Sequence, residues 1–187
     1  GMTSFDRVLY SVENTIARIT LNRPEKRNAL DPQTLEELPQ ALARAEEEAA
    51  VKVVALAGAG KDFCAGLDLT TLRQAAEPAV FEKMQDAERL VRLFLQMRRM
   101  TKPIVALVRG RALGGGCGLA TACDIVLAAE SAEFGYPEIR IGFVPAIVSV
   151  LLRRSVGEKK AAELMLSGRR ITAVEAERLG LVTFVFP

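Results

Sequence analysis

Two short segments of the chain carry residue types that together suit proton transfer beside a carbonyl group. Residues 113–118 (Leu-Gly-Gly-Gly-Cys-Gly) form a glycine run, and residues 134–138 (Phe-Gly-Tyr-Pro-Glu) end on one acidic side chain, Glu138. A glycine run that opens a helix presents bare backbone N–H groups to a developing negative charge. The 187 residues contain no histidine, so acid–base chemistry needs another side chain. Glu138 is the candidate for that role.

A second glycine-bearing loop, residues 63–68 (Phe-Cys-Ala-Gly-Leu-Asp), follows the apolar run 51–57. If the strands before the two loops are neighbours, the N–H groups of Ala65 and Gly115 converge on one point. They would bind a carbonyl oxygen there and stabilise the enolate formed from it. The blander interpretation stays open, in which the glycines are tight packing turns and Glu138 is a solvated side chain.

Other glycine and metal signatures fail on their spacing. A phosphate-binding loop that ends at Gly60-Lys61 needs glycine where Ala55 stands and serine or threonine where Asp62 stands. The dinucleotide fingerprint fails because Leu119 occupies its last glycine position. An odd number of cysteines without Cys-x-x-Cys spacing favours neither disulfides nor zinc, so no metal site is predicted; they are Cys64, Cys117 and Cys123.

The composition is that of an ordinary globular protein in a reducing compartment. Half of the residues are apolar, 26% are charged and the net charge is +2, without a basic stripe, so nucleic acid is not an expected partner. No apolar run approaches the roughly 20 residues of a membrane helix, and the first residues lack a secretion signal. We predict one domain over residues 1–187, in the cytoplasm, with Gly1 before Met2 typical of a residue left after tag removal.

Alternating apolar strands and amphipathic helices predict an α/β fold. A hairpin is expected over residues 8–10 and 15–21, and Asp31-Pro32 predicts a helix start with Asp31 as its cap. The remaining expected strands are 51–57, 104–108 and 125–128. The expected helices are 32–48, 81–100, the glycine run to 123, 147–154, 158–166 and 173–179.

Taken together, these segments resemble the crotonase (enoyl-CoA hydratase/isomerase) superfamily. The resemblance rests on residues 21–30, 63–69, 112–119, 122–125, 134–142 and 176–182, which occur in this order. It implies a crotonase-like spiral of ββα units that binds an acyl-CoA thioester and stabilises its enolate. Ala65 and Gly115 would supply the oxyanion-hole N–H groups, and Glu138 would be the second of the two hydratase glutamates. The residues implied to contact substrate or coenzyme A are Lys26, Arg27, Ala29, Ala65, Gly66, Leu67, Asp68, Leu69, Gly114, Gly115, Gly118, Pro137 and Glu138.

Three departures from the family pattern leave the reaction open. Gly118 stands where two-glutamate hydratases carry their first glutamate, which favours a one-carboxylate reaction such as double-bond isomerisation. The Pro-Ala form at residues 145–146 is similar to a branch that includes hydratases of methylglutaconyl-type CoA esters. The helical segment that usually follows, and that builds a homotrimer or hexamer, is not represented. We expect an enoyl-CoA hydratase or isomerase without a separate cofactor; a catalytically inactive acyl-CoA-binding module is the alternative of another class.

Overall fold

The computed structural model describes residues 4–70, 77–137 and 146–187, which contain two β-sheets and six α-helices. Strands and helices alternate along most of this length, as the α/β prediction requires. The strands are β1 (Val8–Glu13), β2 (Ile16–Leu21), β3 (Val53–Gly58), β4 (Ile104–Val108), β5 (Arg111–Leu113), β6 (Ile125–Ala129), β7 (Glu133–Gly135), β8 (Ile171–Thr172) and β9 (Phe184–Phe186). The helices are α1 (Pro32–Glu47), α2 (Glu77–Arg99), α3 (Gly115–Ala122), α4 (Ala146–Val156), α5 (Glu158–Ser167) and α6 (Ala173–Leu179).

The larger sheet has the strand order β1-β2-β3-β4-β6-β9. β1 and β2 are antiparallel, and every other neighbouring pair in this sheet is parallel. Asn14 and Thr15 connect β1 to β2 with φ angles of 49° and 67°, the conformation that a two-residue hairpin turn requires. The predicted hairpin is therefore confirmed. The parallel order β3-β4-β6 makes neighbours of the strands that precede the loops of interest.

Helix α1 begins as the sequence predicts. The Asp31 carboxylate accepts hydrogen bonds from the Thr34 backbone N–H at 2.9 Å and from the Thr34 hydroxyl at 2.6 Å. Pro32 occupies the first turn, where its missing N–H costs nothing. The helix buries its apolar side chains, including Leu35, Leu38 and Leu42, in the common core.

A smaller sheet, in the order β5-β7-β8, was not anticipated. β5 and β7 are parallel over three residues each, and β8 adds two antiparallel residues. This sheet matters for the site, because β5 leads into the glycine run and β7 leads into residues 136 and 137. It brings the two segments singled out from the sequence side by side.

Candidate active site

The loop of residues 63–68 is held between two other segments of the chain. On one side Cys64 pairs with Ala112 of β5: the Cys64 N–H donates to the Arg111 carbonyl at 3.0 Å, and the Leu113 N–H donates to the Cys64 carbonyl at 3.0 Å. On the other side Leu67 pairs with Leu30. Backbone bonds on both sides fix the direction in which each amide of the loop points.

This pairing corrects the sequence-based choice of Ala65 as an oxyanion donor. The Ala65 N–H donates to the carbonyl oxygen of Arg27 at 3.0 Å, so this amide is already used to hold the loop against residues 27–30. An amide bound to a backbone carbonyl is not available to a substrate oxygen. The prediction that the Ala65 amide is an oxyanion donor is therefore wrong, whereas the use of this loop as a binding site stays a prediction.

Within this loop, the amide of Leu67 faces the start of α3, where the sequence predicted two N–H groups to converge. The Leu30 N–H donates to the Gly66 carbonyl at 2.7 Å, and the Asp68 N–H donates to the Leu30 carbonyl at 3.0 Å. In a parallel pairing of this kind, the N–H of the intervening residue, Leu67, points to the opposite side. A Cβ atom built on Gly115 would lie 3.7 Å from the Leu67 nitrogen. The structure thus brings together Leu67 and Gly115.

The glycine run has the backbone geometry that places Gly115 first in α3. Gly114 precedes the helix with φ 57° and ψ −123°, a conformation open to glycine, and its N–H donates to the Gly135 carbonyl at 2.8 Å. A Cβ atom on Gly116 would overlap with the carbonyl oxygen of Cys64. Glycine here permits the close approach of α3 to the loop 63–68. The positive end of the helix dipole then lies where Leu67 and Gly115 meet.

Gly118 is packed rather than open to a ligand. A Cβ atom at this position would lie 2.7 Å from Cζ of Phe94 and 3.5 Å from a methyl carbon of Val148. Phe94 is fully buried. The ring fills the space next to Gly118, and we find no support in this packing for the predicted substrate contact of Gly118.

Residues 23–31 hold the exposed cations that were predicted to contact coenzyme A. Asn28 is buried and donates from its side-chain amide to the carbonyls of Ala59 and Asp62, at 2.9 and 2.8 Å. Lys26 and Arg27 are exposed on the same turn. Because the Arg27 carbonyl also binds the Ala65 amide, these two cations lie next to the loop 63–68.

Arg23 connects this turn to the loop through Asp68. Its Nη1 lies 3.0 Å from Oδ2 of Asp68, and its Nε lies 3.7 Å from Oδ2 of Asp31. Burial alone raises the pKa of Asp68, but hydrogen bonds from Thr70 and the ion pair with Arg23 outweigh it and lower that pKa to about 2. Asp68 therefore stays ionised near neutral pH and connects the loop to Arg23; its contact with substrate or coenzyme A stays a prediction.

The segment before Glu138 is fixed against α3 by two buried hydroxyl groups. The Thr121 hydroxyl donates to the Cys117 carbonyl at 2.7 Å and lies 2.8 Å from the hydroxyl of Tyr136. Since the single hydrogen of Thr121 is used, the Tyr136 O–H is the donor to Thr121. Glu138 lies outside the described residues; it follows Tyr136 and the half-buried Pro137 along the chain. The Thr121–Tyr136 bond was missed because neither residue signals the other in the sequence.

The cysteines and Asp124 lie in surroundings that indicate structural roles. All three cysteines are buried, and burial raises the pKa of the Cys123 thiol. The Asp124 carboxylate accepts the Ile104 N–H at 2.8 Å and so orients the turn behind α3. Within the described ranges, no group of three or more cysteine, aspartate or glutamate side chains is arranged to hold a metal ion. None of the helices in those ranges is long and apolar enough to cross a bilayer.

Solved structures identify the class of this fold. A Legionella pneumophila protein described as an enoyl-CoA hydratase/isomerase (crotonase) superposes with a TM-score of 0.91 at 37% identity, over 98% of this chain and 71% of the other. The fold is that of a crotonase-type protein.

Sequence comparison gives the family. A profile described as Enoyl-CoA hydratase/isomerase matches residues 11–187. A Thermus thermophilus protein that carries the name enoyl-CoA hydratase is 46% identical over 172 residues, 92% of this chain and 68% of the relative. The 2,3-dehydroadipyl-CoA hydratase of Escherichia coli is 38% identical over 181 residues, 96% of this chain and 69% of the relative. The chain belongs to the enoyl-CoA hydratase/isomerase family of enzymes.

Proposed function

We propose that the protein binds an enoyl-CoA thioester and stabilises its enolate with the backbone N–H groups of Leu67 and Gly115. The observation that carries this proposal is the approach of the Leu67 nitrogen to Gly115 at the positive end of α3. Negative charge grows on the thioester oxygen as a proton leaves the neighbouring carbon, and both amides then bind that oxygen more strongly. Loss of one such donor typically lowers the rate by about 10²–10³.

Glu138 is the acid–base group in this proposal. Its carboxylate removes a proton from C2 of a 3-enoyl-CoA, and the electron pair of that C–H bond becomes the enolate. The protonated glutamate then returns the proton to C4, which moves the double bond to C2=C3. The support is positional: Glu138 follows Tyr136, which Thr121 holds against the helix that begins at Gly115.

Double-bond isomerisation is our first choice within this chemistry, because it needs one carboxylate. Position 118 has no side chain, and the ring of Phe94 fills the adjoining space with an apolar surface. Hydration, including that of methylglutaconyl-type esters, is the second candidate. The hydratase names of the Thermus and E. coli relatives favour it.

The substrate's coenzyme A part would lie along residues 26–29 and 65–69. Lys26 and Arg27 are exposed cations beside this loop and suit the phosphate groups of coenzyme A. Coenzyme A then enters as part of the substrate, and the proposal includes no separate cofactor. Assembly as a homotrimer or hexamer and a cytoplasmic location stay predictions; light scattering on the purified protein tests the first.

The Glu138→Gln variant tests the proposal. We expect a loss of turnover of about 10²–10⁴-fold, because the amide has no proton-transfer capacity, with nearly unchanged affinity for a CoA ester. Glu130→Gln, the same change at an exposed position of the same region, is the matched control and should keep full activity. Turnover of Glu138→Gln at the wild-type rate would remove Glu138 from the mechanism.

Two substrates separate the candidate reactions. With a 3-enoyl-CoA, isomerisation produces the conjugated thioester and its absorbance rises. With crotonyl-CoA, hydration consumes the conjugated double bond and the absorbance falls. Measurable binding with no change for either substrate would favour the inactive acyl-CoA-binding module instead.

A further inference from the structure

Helix α2 lies beside α3 and runs in the same direction. A methyl carbon of Leu90 would lie 2.9 Å from a Cβ atom on Gly115, and Cζ of Phe94 would lie 2.7 Å from one on Gly118. Leu90 and Gly115 are the earlier members of the two pairs, and the contacts advance together along both helices. Leu90 therefore marks the level at which α3 begins.

The same face of α2 continues beyond the start of α3. Seven residues make nearly two helical turns, so Lys83 lies on the face of Leu90 and about 10 Å further toward the N-terminus of α2. Asp86, four residues before Leu90, lies on the same face about 6 Å beyond it. Both residues thus lie on the face of α2 that continues past the start of α3, toward the end at which the thioester is proposed to bind.

This part of α2 contains a buried charged cluster to which the proposed mechanism assigns no role. Lys83 is 4% exposed and Asp86 is 1% exposed. Nζ of Lys83 lies 3.3 Å from Oδ2 of Asp86, and Nη1 of Arg89 lies 2.9 Å from Oδ1 of the same carboxylate. Two cations share one anion, so the cluster has a net charge of +1.

The cluster has unused capacity to bind an acceptor. A lysine ammonium has three N–H donors, and the bond to Asp86 uses one of them. Burying a charged group costs free energy unless its surroundings compensate it. The Asp86 carboxylate is shared with Arg89, whose side chain is 45% exposed and reaches solvent. A small anion is the ligand that would complete the surroundings of Lys83.

We propose that Lys83, held in place by Asp86, binds a carboxylate at the far end of the acyl group. The preferred substrate class is then the CoA monothioester of an unsaturated dicarboxylic acid rather than that of a simple fatty acid. The inference rests on the proposed function for the position of the thioester. The four-carbon stem of lysine and a short acyl chain together bridge the 10 Å or so between Leu90 and Lys83 along the helix.

A pair of non-reacting ligands tests the inference without any turnover. Adipyl-CoA and hexanoyl-CoA have acyl chains of equal length and differ in the terminal carboxylate. By titration calorimetry we expect the wild-type protein to bind adipyl-CoA about 10- to 100-fold more tightly, the range for a hydrogen bond between charged groups. Equal affinities of the two ligands for the wild-type protein would overturn the proposal.

Variants then assign the preference to Lys83. Lys83→Gln should remove it and leave the hexanoyl-CoA affinity within about threefold, whereas Lys83→Arg should keep most of it because the charge remains. Arg92→Gln, on the same helix but with a 77% exposed side chain, is the matched control and should behave as wild type. Equal weakening of both ligands in Lys83→Gln would assign Lys83 a structural role and contradict the inference.

Activity measurements separate this inference from the proposed function. With 2,3-dehydroadipyl-CoA and trans-2-hexenoyl-CoA, we expect Lys83→Gln to lower kcat/KM for the first substrate alone. Turnover without a carboxylate preference would reject the Lys83 site and keep the proposed function. A carboxylate preference in binding with no turnover of any enoyl-CoA would reject the proposed function and keep the Lys83 site.

Discussion

Adding a single methyl group at Gly118 tests whether Phe94 fills the space beside α3. The Cβ atom of Gly118→Ala would lie 2.7 Å from Cζ of Phe94, where carbon atoms ordinarily approach to about 3.5–4.0 Å. The ring must therefore retreat by about 1 Å, in a core where Phe94 is fully buried. Overpacking of this kind costs about 1–3 kcal/mol, and alanine returns about 1 kcal/mol of helix propensity. We expect a net loss of about 1 kcal/mol, or about 2–4 °C in Tm.

A double-mutant cycle with Phe94→Leu shows whether the cost comes from the ring. Leucine lacks the Cζ and Cε atoms of the contact, so Gly118→Ala should become neutral or stabilising by about 1 kcal/mol in the Phe94→Leu background. Urea unfolding of the four proteins measures the coupling, which we expect to be about 1–2 kcal/mol. Gly116→Ala is the control, because its Cβ would overlap with the Cys64 carbonyl and Phe94→Leu cannot relieve that. Stabilisation by Gly118→Ala alone, with no coupling, would refute the packing argument.

Two further predictions concern the loops around the site. Tyr136→Phe removes the hydrogen bond to Thr121, so we expect about tenfold lower kcat with unchanged CoA-ester affinity. The free energy of unfolding should fall by about 1 kcal/mol. An equal loss in kcat and affinity would contradict a positioning role. Asp68→Asn should lower the free energy of unfolding by about 1 kcal/mol near pH 7, after allowance for solvent screening of the Arg23 pair. The folded pKa of Asp68, about 2, lies below the ordinary aspartate value of 3.8, so this stabilisation is present above pH 3.8 and disappears as the pH falls through about 2. Urea unfolding between pH 2 and pH 7 checks it, and a difference that persists at the lowest pH would contradict it.

The elements that the sequence predicted well are those determined by local signals. The cap of Asp31 on Thr34 and the strand Ile104–Val108 follow from residue types within a few positions. The strands of the smaller sheet, β5, β7 and β8, have two or three residues each, too few for a period of two to be recognised. Their pairing depends on the chain returning from distant positions, which no local pattern encodes.

The sequence singled out two loops that the structure brings together, but not which amide of residues 63–68 lies near Gly115. Gly115 could be proposed from the sequence because a glycine run that opens a helix exposes backbone N–H groups, although the same run also serves close packing. The choice between Ala65 and Leu67 depends on how their loop pairs with residues 27–30, some 40 positions earlier in the chain. Since an extended segment alternates the direction of its amides, only that pairing decides which N–H groups face the start of α3.

One face of α2 runs from Gly118, which replaces the first hydratase glutamate, to the proposed carboxylate site. Phe94 packs on Gly118 and makes the deep end of the α2–α3 interface apolar, while Lys83 and Asp86 make the end in front of α3 polar. A water molecule activated from position 118 would need a polar group where the ring of Phe94 lies. An acyl carboxylate needs a cation where Lys83 lies. Under the two proposals, the same helix disfavours hydration at one end and favours a charged acyl group at the other. We therefore expect substrate class and reaction type to depend on different residues and to be separable by mutation.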